Sequence, residues 1–148
     1  MKLFFCSTLL LIFLTGCPYK KVYTVIPESV SEVNSFKIIP VSLFYKESRD
    51  IVKCDVVYKI KNETNSMQEF NFSASQLIGQ DTSIKVSDIT WMGNVPIINK
   101  IRIYPASDTL IGLGYIGSKN HFGDTIKVVL ASPDLIYRTF FYTRKKKK

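Results

Sequence analysis

Ile51-Val52-Lys53-Cys54-Asp55-Val56-Val57-Tyr58-Lys59-Ile60-Lys61 alternates two kinds of side chain. Val52, Cys54, Val56, Tyr58 and Ile60 fall on one side; Lys53, Asp55, Val57, Lys59 and Lys61 fall on the other. A period of two, with one apolar and one largely charged face, is the pattern of a half-buried β-strand. It puts Cys54 on the core side, where a free thiol behaves as a small hydrophobe. Asn62-Glu63-Thr64-Asn65-Ser66 then supplies turn-forming side chains, and Phe70, Phe72 and Ala74 resume the alternation against Glu69, Asn71 and Ser73. The two segments predict a hairpin.

Outward from this stretch, strand-like runs recur at Ser83 to Thr90, Ile97 to Tyr104, Thr109 to Ile116, Thr125 to Ala131 and Leu135 to Thr143. Gly, Asn, Asp, Ser and Pro clusters separate them. Upstream, Val22 to Ile26 and Phe36 to Tyr45 are further candidates, the second bulged at Pro40, which has no N–H to give a ladder. Seven to nine short strands, turn signals about every ten residues and no long amphipathic helical window predict an all-β antiparallel sandwich. An immunoglobulin-like Greek key is the first expectation and a small β-barrel the alternative. Val56-Val57-Tyr58-Lys59-Ile60-Lys61-Asn62, followed by Phe70 and Leu77, resembles a strand and turn of many immunoglobulin-like domains of exported lipoproteins.

The front of the chain points to export. Lys2 precedes an apolar run from Leu3 to Leu14, the layout of a signal peptide and too short for a bilayer span of about 20 residues. The run ends in Leu14-Thr15-Gly16-Cys17, which resembles the lipobox of bacterial lipoproteins at all four positions. That resemblance implies a diacylglyceryl thioether on Cys17, cleavage before it, and attachment to a membrane by lipid. The expected organisation is residues 1–16 as signal peptide, 17–35 as lipid-anchored tether, 36–143 as sandwich and 144–148 as basic tail. Cys17 is followed by Pro18, Tyr19, Lys20 and Lys21, without the Asp that marks inner-membrane retention in enteric-type lipoproteins. The expected location is therefore the outer membrane, facing the periplasm.

Composition agrees with a folded domain: 46% of residues are hydrophobic and 13% aromatic, unlike a disordered chain. The formal charge of +8 sits at the ends. Between Val22 and Thr143, nine lysines and three arginines balance twelve acidic residues; Lys2, Lys20, Lys21 and the tail Arg144, Lys145, Lys146, Lys147 and Lys148 carry the excess. The body has no charge excess for the basic stripe of a nucleic-acid binder. Cys6 leaves with the signal and Cys17 takes lipid, so Cys54 remains alone and no internal disulfide is expected.

Motifs for chemistry are sparse. Gly112-Leu113-Gly114-Tyr115-Ile116-Gly117 spells G-x-G-x-x-G, with Asp134 downstream, but a turn rather than a helix follows it, and a dinucleotide site requires that helix. The glycines are expected to relieve crowding in a strand. Ser118, His121 and Asp124 lie too close together on one turn for a triad, which converges from separate parts of a fold. Asp81 and Asp88 are the nearest approach to a carboxylate pair. No metal, cofactor or catalytic residue is expected. The candidate contact surface comprises Trp91, Tyr137, Phe141 and Lys145 to Lys148, since Tyr137, Phe140, Phe141 and Tyr142 put aromatics on both faces of the last strand. The expected function is non-catalytic docking of another envelope protein; the alternative is binding of peptidoglycan, glycan or another anionic envelope polymer.

Overall fold

The computed structural model describes residues 23–26, 36–91, 95–96 and 100–145. The expected signal peptide, Cys17, most of the expected tether and Lys146 to Lys148 lie outside the described residues. Twelve strands are formed among those described: β1 Tyr23–Val25, β2 Phe36–Ser48, β3 Ile51–Asn62, β4 Gln68–Asn71, β5 Gln76–Ile78, β6 Ser83–Lys85, β7 Asp88–Trp91, β8 Val95–Pro96, β9 Lys100–Ile103, β10 Asp108–Ser118, β11 Thr125–Ala131 and β12 Ile136–Arg144.

Two antiparallel five-stranded sheets, in the orders β2-β3-β10-β7-β8 and β1-β12-β11-β5-β6, form a sandwich. The first four strands of one sheet follow the immunoglobulin order A-B-E-D, and β12-β11-β5 follows G-F-C on the other. The expected all-β immunoglobulin-like sandwich is thus the fold, and its open sheets replace the barrel alternative. Strand numbers exceed nine because several runs break into short pieces.

The alternation that opens the sequence is realised in β3: Val52, Cys54, Val56, Tyr58 and Ile60 are buried. Its central position explains the pattern, since β2 pairs along one side of it and β10 along the other. Opposite them, sheet two contributes Leu77, Ile126, Val128, Leu130, Phe140 and Tyr142. Each fully buried aliphatic or aromatic side chain adds about 1.5–3 kcal/mol. The bulge expected at Pro40 is present: the register of β2 on β3 shifts between Pro40 and Ser42, and the extra residue, Val41, is thrown outward at 54% exposure.

Two expectations are corrected. The segment after Asn62 does not fold back on β3 as a hairpin; β4 pairs instead with β9 in a separate two-stranded sheet. Both edges of β3 are already taken, so the returning chain has no ladder to join there. The pair closes one end of the sandwich over an aromatic cluster in which Phe36 and Phe70 ring centres lie 4.5 Å apart and Phe70 and Phe72 stack at 5.9 Å. The run Ser83 to Thr90 is not one strand either. β6 pairs with β5 in one sheet and β7 with β10 in the other, the chain crossing over at Val86 and Ser87. Ser87 N donates to Gly114 O at 2.8 Å and Val86 N to Ser75 O at 3.1 Å, so the crossing leaves neither N–H unpaired.

Candidate functional site

The glycine motif lies within β10. Gly112 and Gly114 sit on its outward side, where an added Cβ would overlap Thr90 Oγ1 and Asp88 Oδ1 respectively. A three-residue 3-10 turn, Lys119–His121, follows. The glycines therefore relieve crowding between β10 and β7. Asp88 belongs to this outer face: Lys53 Nζ lies 3.4 Å from it and 3.5 Å from Asp55. Burial pushes the Asp55 carboxyl up, Lys53 pulls it down and Asp88 pushes it up again. Asp81 does not pair with Asp88; it occupies the β5–β6 turn with a positive φ of 55°.

Ser118, His121 and Asp124 do not assemble into a catalytic group. Among the described residues no hydrogen bond joins their side chains; His121 Nδ1 is buried without a hydrogen-bond partner, and His121 O accepts from Gln80 N at 3.0 Å. Cys54 is fully buried and burial pushes its thiol well up, which suppresses the reactive thiolate.

The last strand supplies the main revision of the contact surface. The β11–β12 register shifts between Leu130 and Ala131, and this irregularity turns consecutive residues Tyr137 and Arg138 both inward. Tyr137 is therefore a core residue: it packs 5.6 Å from Phe70 and 5.5 Å from Phe72 between ring centres, and its hydroxyl accepts from Asn71 N at 3.1 Å. It is removed from the contact surface. Phe141 remains exposed at 38%, with Lys127 Nζ 5.8 Å from its ring centre. Lys145 is exposed. The backbone of Trp91 pairs with Ile111 in the β7–β10 ladder; its side chain, like Lys146, Lys147 and Lys148, lies outside the described residues.

Sequence reasoning missed the inward role of Arg138. Arg138 Nη1 donates to Ile38 O at 3.1 Å, tying β12 of one sheet to the edge strand β2 of the other. Its guanidinium carbon stands 5.3 Å from the Phe140 ring centre. On this flank Ile39, Val41, Leu135 and Ile136 are exposed apolar side chains. Val41 is legible in the sequence only through the bulge that turns it out.

A second feature occupies the end where β1 starts and β12 finishes. An open cleft of about 590 Å³ is lined there by Tyr45, Thr82, Lys119, His121 and Arg144, among others. Lys119 forms an ion pair with Glu47. Among the described residues, no ion pair or side-chain hydrogen bond holds the Arg144 guanidinium.

Set against known protein families, curated proteins and solved structures, the chain matches none.

Proposed function

We propose that the chain is a bacterial envelope lipoprotein, anchored by lipid on Cys17 at the outer membrane and facing the periplasm, whose sandwich docks another envelope protein without catalysis. The observation behind the docking is the set of exposed apolar side chains next to the Arg138–Ile38 hydrogen bond, Ile39 and Val41 of β2 and Ile136 of β12, exposed at 38–59%, with Phe141 exposed further along β12. Exposed apolar side chains on two strands tied together in this way offer a surface that a partner could cover. The anchoring rests on the residue order of the first 17 positions, from Lys2 through the apolar run to Leu14-Thr15-Gly16-Cys17. Acyl chains on Cys17 would hold the domain at roughly 0.8 kcal/mol per buried CH₂, and two chains suffice for stable attachment.

The test is co-purification of the lipid-bearing protein from detergent-solubilised membranes, with its N-terminal peptide weighed. A diacylated Cys17 peptide is expected, together with one stoichiometric protein partner that is lost at least tenfold on Ile136→Asp combined with Phe141→Asp. An unmodified Cys17 peptide contradicts the anchor. A partner retained undiminished by the double variant contradicts the flank.

A further inference from the structure

Among the described residues Arg138 is the one charged side chain that the fold buries, at 8% exposure. The ion pairs among those residues use Lys53, Lys59, Lys61, Lys100, Arg102 and Lys119, whose side chains are 39–67% exposed. None reaches Arg138. A guanidinium carries five N–H donors. Arg138 uses one of them, from Nη1 to Ile38 O at 3.1 Å, and its Nε is buried with no hydrogen-bond partner. The Phe140 ring, 5.3 Å from the guanidinium carbon, attracts the cation with its face but offers no acceptor. Arginine is almost never buried unless paired, because a charge taken out of water is stabilised again only by an opposite charge in good geometry. Among the described residues that opposite charge is missing.

The guanidinium lies at a seam between the two sheets. β2 is an edge strand of its sheet, and β1 covers β12 only from Tyr142 to Arg144. From Ile136 to Phe140, among the described residues, β12 therefore has a ladder on its β11 side alone. The Arg138–Ile38 bond bridges these two strand margins. Next to it stand Ile39, Val41 and Ile136, exposed at 38%, 54% and 59%. Apolar side chains in water and a cation out of water thus meet at one place, the reverse of the usual distribution. A group that covers the seam has two requirements to meet: apolar contact, and a negative charge for Arg138. A backbone carbonyl would fill an N–H and leave the charge; a carboxylate supplies both, since its two oxygens match two parallel N–H groups of a guanidinium.

We infer that the protein docked on this flank presents an acidic side chain to Arg138, set among apolar side chains that cover Ile39, Val41 and Ile136. The inference rests on the proposed docking and names the chemistry of its partner. Arg138 is then the specificity-determining residue of the interface. A partner with an amide in place of the carboxylate leaves the buried guanidinium unpaired and is rejected.

The experiment uses the full chain processed by cells, isotope-labelled at the arginine nitrogens and held in detergent micelles. The probes are two capped tripeptides, Val-Glu-Val and Val-Gln-Val. The Nε–H resonance of Arg138, assigned by its absence in Arg138→Lys, is followed on titration. The Glu peptide is expected to shift it and to bind on the order of tenfold more tightly than the Gln peptide. That preference is read on the unaltered protein, so it stands whether or not a variant folds. Arg138→Met separates recognition from a purely structural tie between β12 and β2: removal of an unpaired buried charge should leave the urea midpoint of the free protein no lower, while the Glu preference disappears. Equal affinity for the two peptides, or a Glu preference that survives in Arg138→Met, overturns the inference. So does an Arg138 resonance that responds to the Glu peptide only after Glu28→Gln with Glu32→Gln, which would make the chain's own acidic residues its partner. The docking reading fails separately. Equal peptide affinities with a co-purified partner still lost on changing Ile136 and Phe141 leave the flank standing without the carboxylate; a Glu preference with no co-purified partner refutes the docking and leaves Arg138 a carboxylate site.

Discussion

Asn62 ends β3 fully buried and binds five groups with one amide. Its Nδ2 donates to Ser66 O at 2.8 Å, Ile103 O at 3.0 Å and Tyr104 O at 3.2 Å, while its Oδ1 accepts from Thr64 N at 2.9 Å and Thr64 Oγ1 at 2.7 Å. One side chain thereby shapes the turn and fastens it to the end of β9. Asn62→Ala leaves the buried Ile103 carbonyl without its partner and should cost about 2–3 kcal/mol, read as a lower urea midpoint. Asn62→Asp keeps the acceptor but faces a carboxylate to three carbonyls, so it should be no better than alanine. The sequence marks Asn62 as a turn residue by its type. It does not reveal that the side chain reaches a strand 41 positions away, because that contact exists only after β9 has paired with β4. Tyr137 is illegible for a similar reason: strict alternation would place it with Phe141, and only the bulge in the β11–β12 ladder brings it inside.

At the scale of elements, β3 and β12 are joined through the core by Tyr142 Oη donating to Tyr58 Oη at 2.9 Å. Burial raises both phenols; it also raises Tyr115, and pushes Tyr23 up to about 12. For each of these groups the folded state favours the protonated form. In the unfolded chain the same phenols ionise near pH 10, so above that pH the unfolded state sheds protons that the fold retains. Stability from this source is complete below pH 10 and falls as pH rises through the folded values. Cys54, raised from an ordinary value of 9.0 by the same burial, begins the decline about one unit earlier. The urea midpoint is expected to be level between pH 7 and about 8.5 and then to drop. Cys54→Ala should delay the start, and Tyr58→Phe should reduce the slope above pH 10. A level midpoint up to about pH 11 would contradict the described burial of these groups. The long strands are readable from sequence since β3, β10 and β11 alternate cleanly, and Pro40 announces its own bulge. The crossing from β6 to β7 is concealed in a run of uniform β character; its trace is a change of phase, from inward Ile84 to inward Ile89, an odd spacing that one flat strand would not produce.

Taken whole, the molecule has a closed core, a capped end, an end from which both chain termini issue, and one flank on which apolar side chains meet water. The sandwich and the buried face of β3 follow from period-two patterning because hydrophobic burial acts on each strand locally. The flank does not, since it depends on which strands become edges of their sheets. Under the proposed function the β2–β12 flank meets a protein. The most direct measurement is photo-crosslinking in living cells from a reactive residue installed at Ile136, with the same residue at Ile116 on the outer face of the other sheet as control. The account predicts one dominant protein adduct from position 136 and little from 116. Equal, diffuse adducts from both positions, or capture of envelope polymer alone from position 136, would contradict it.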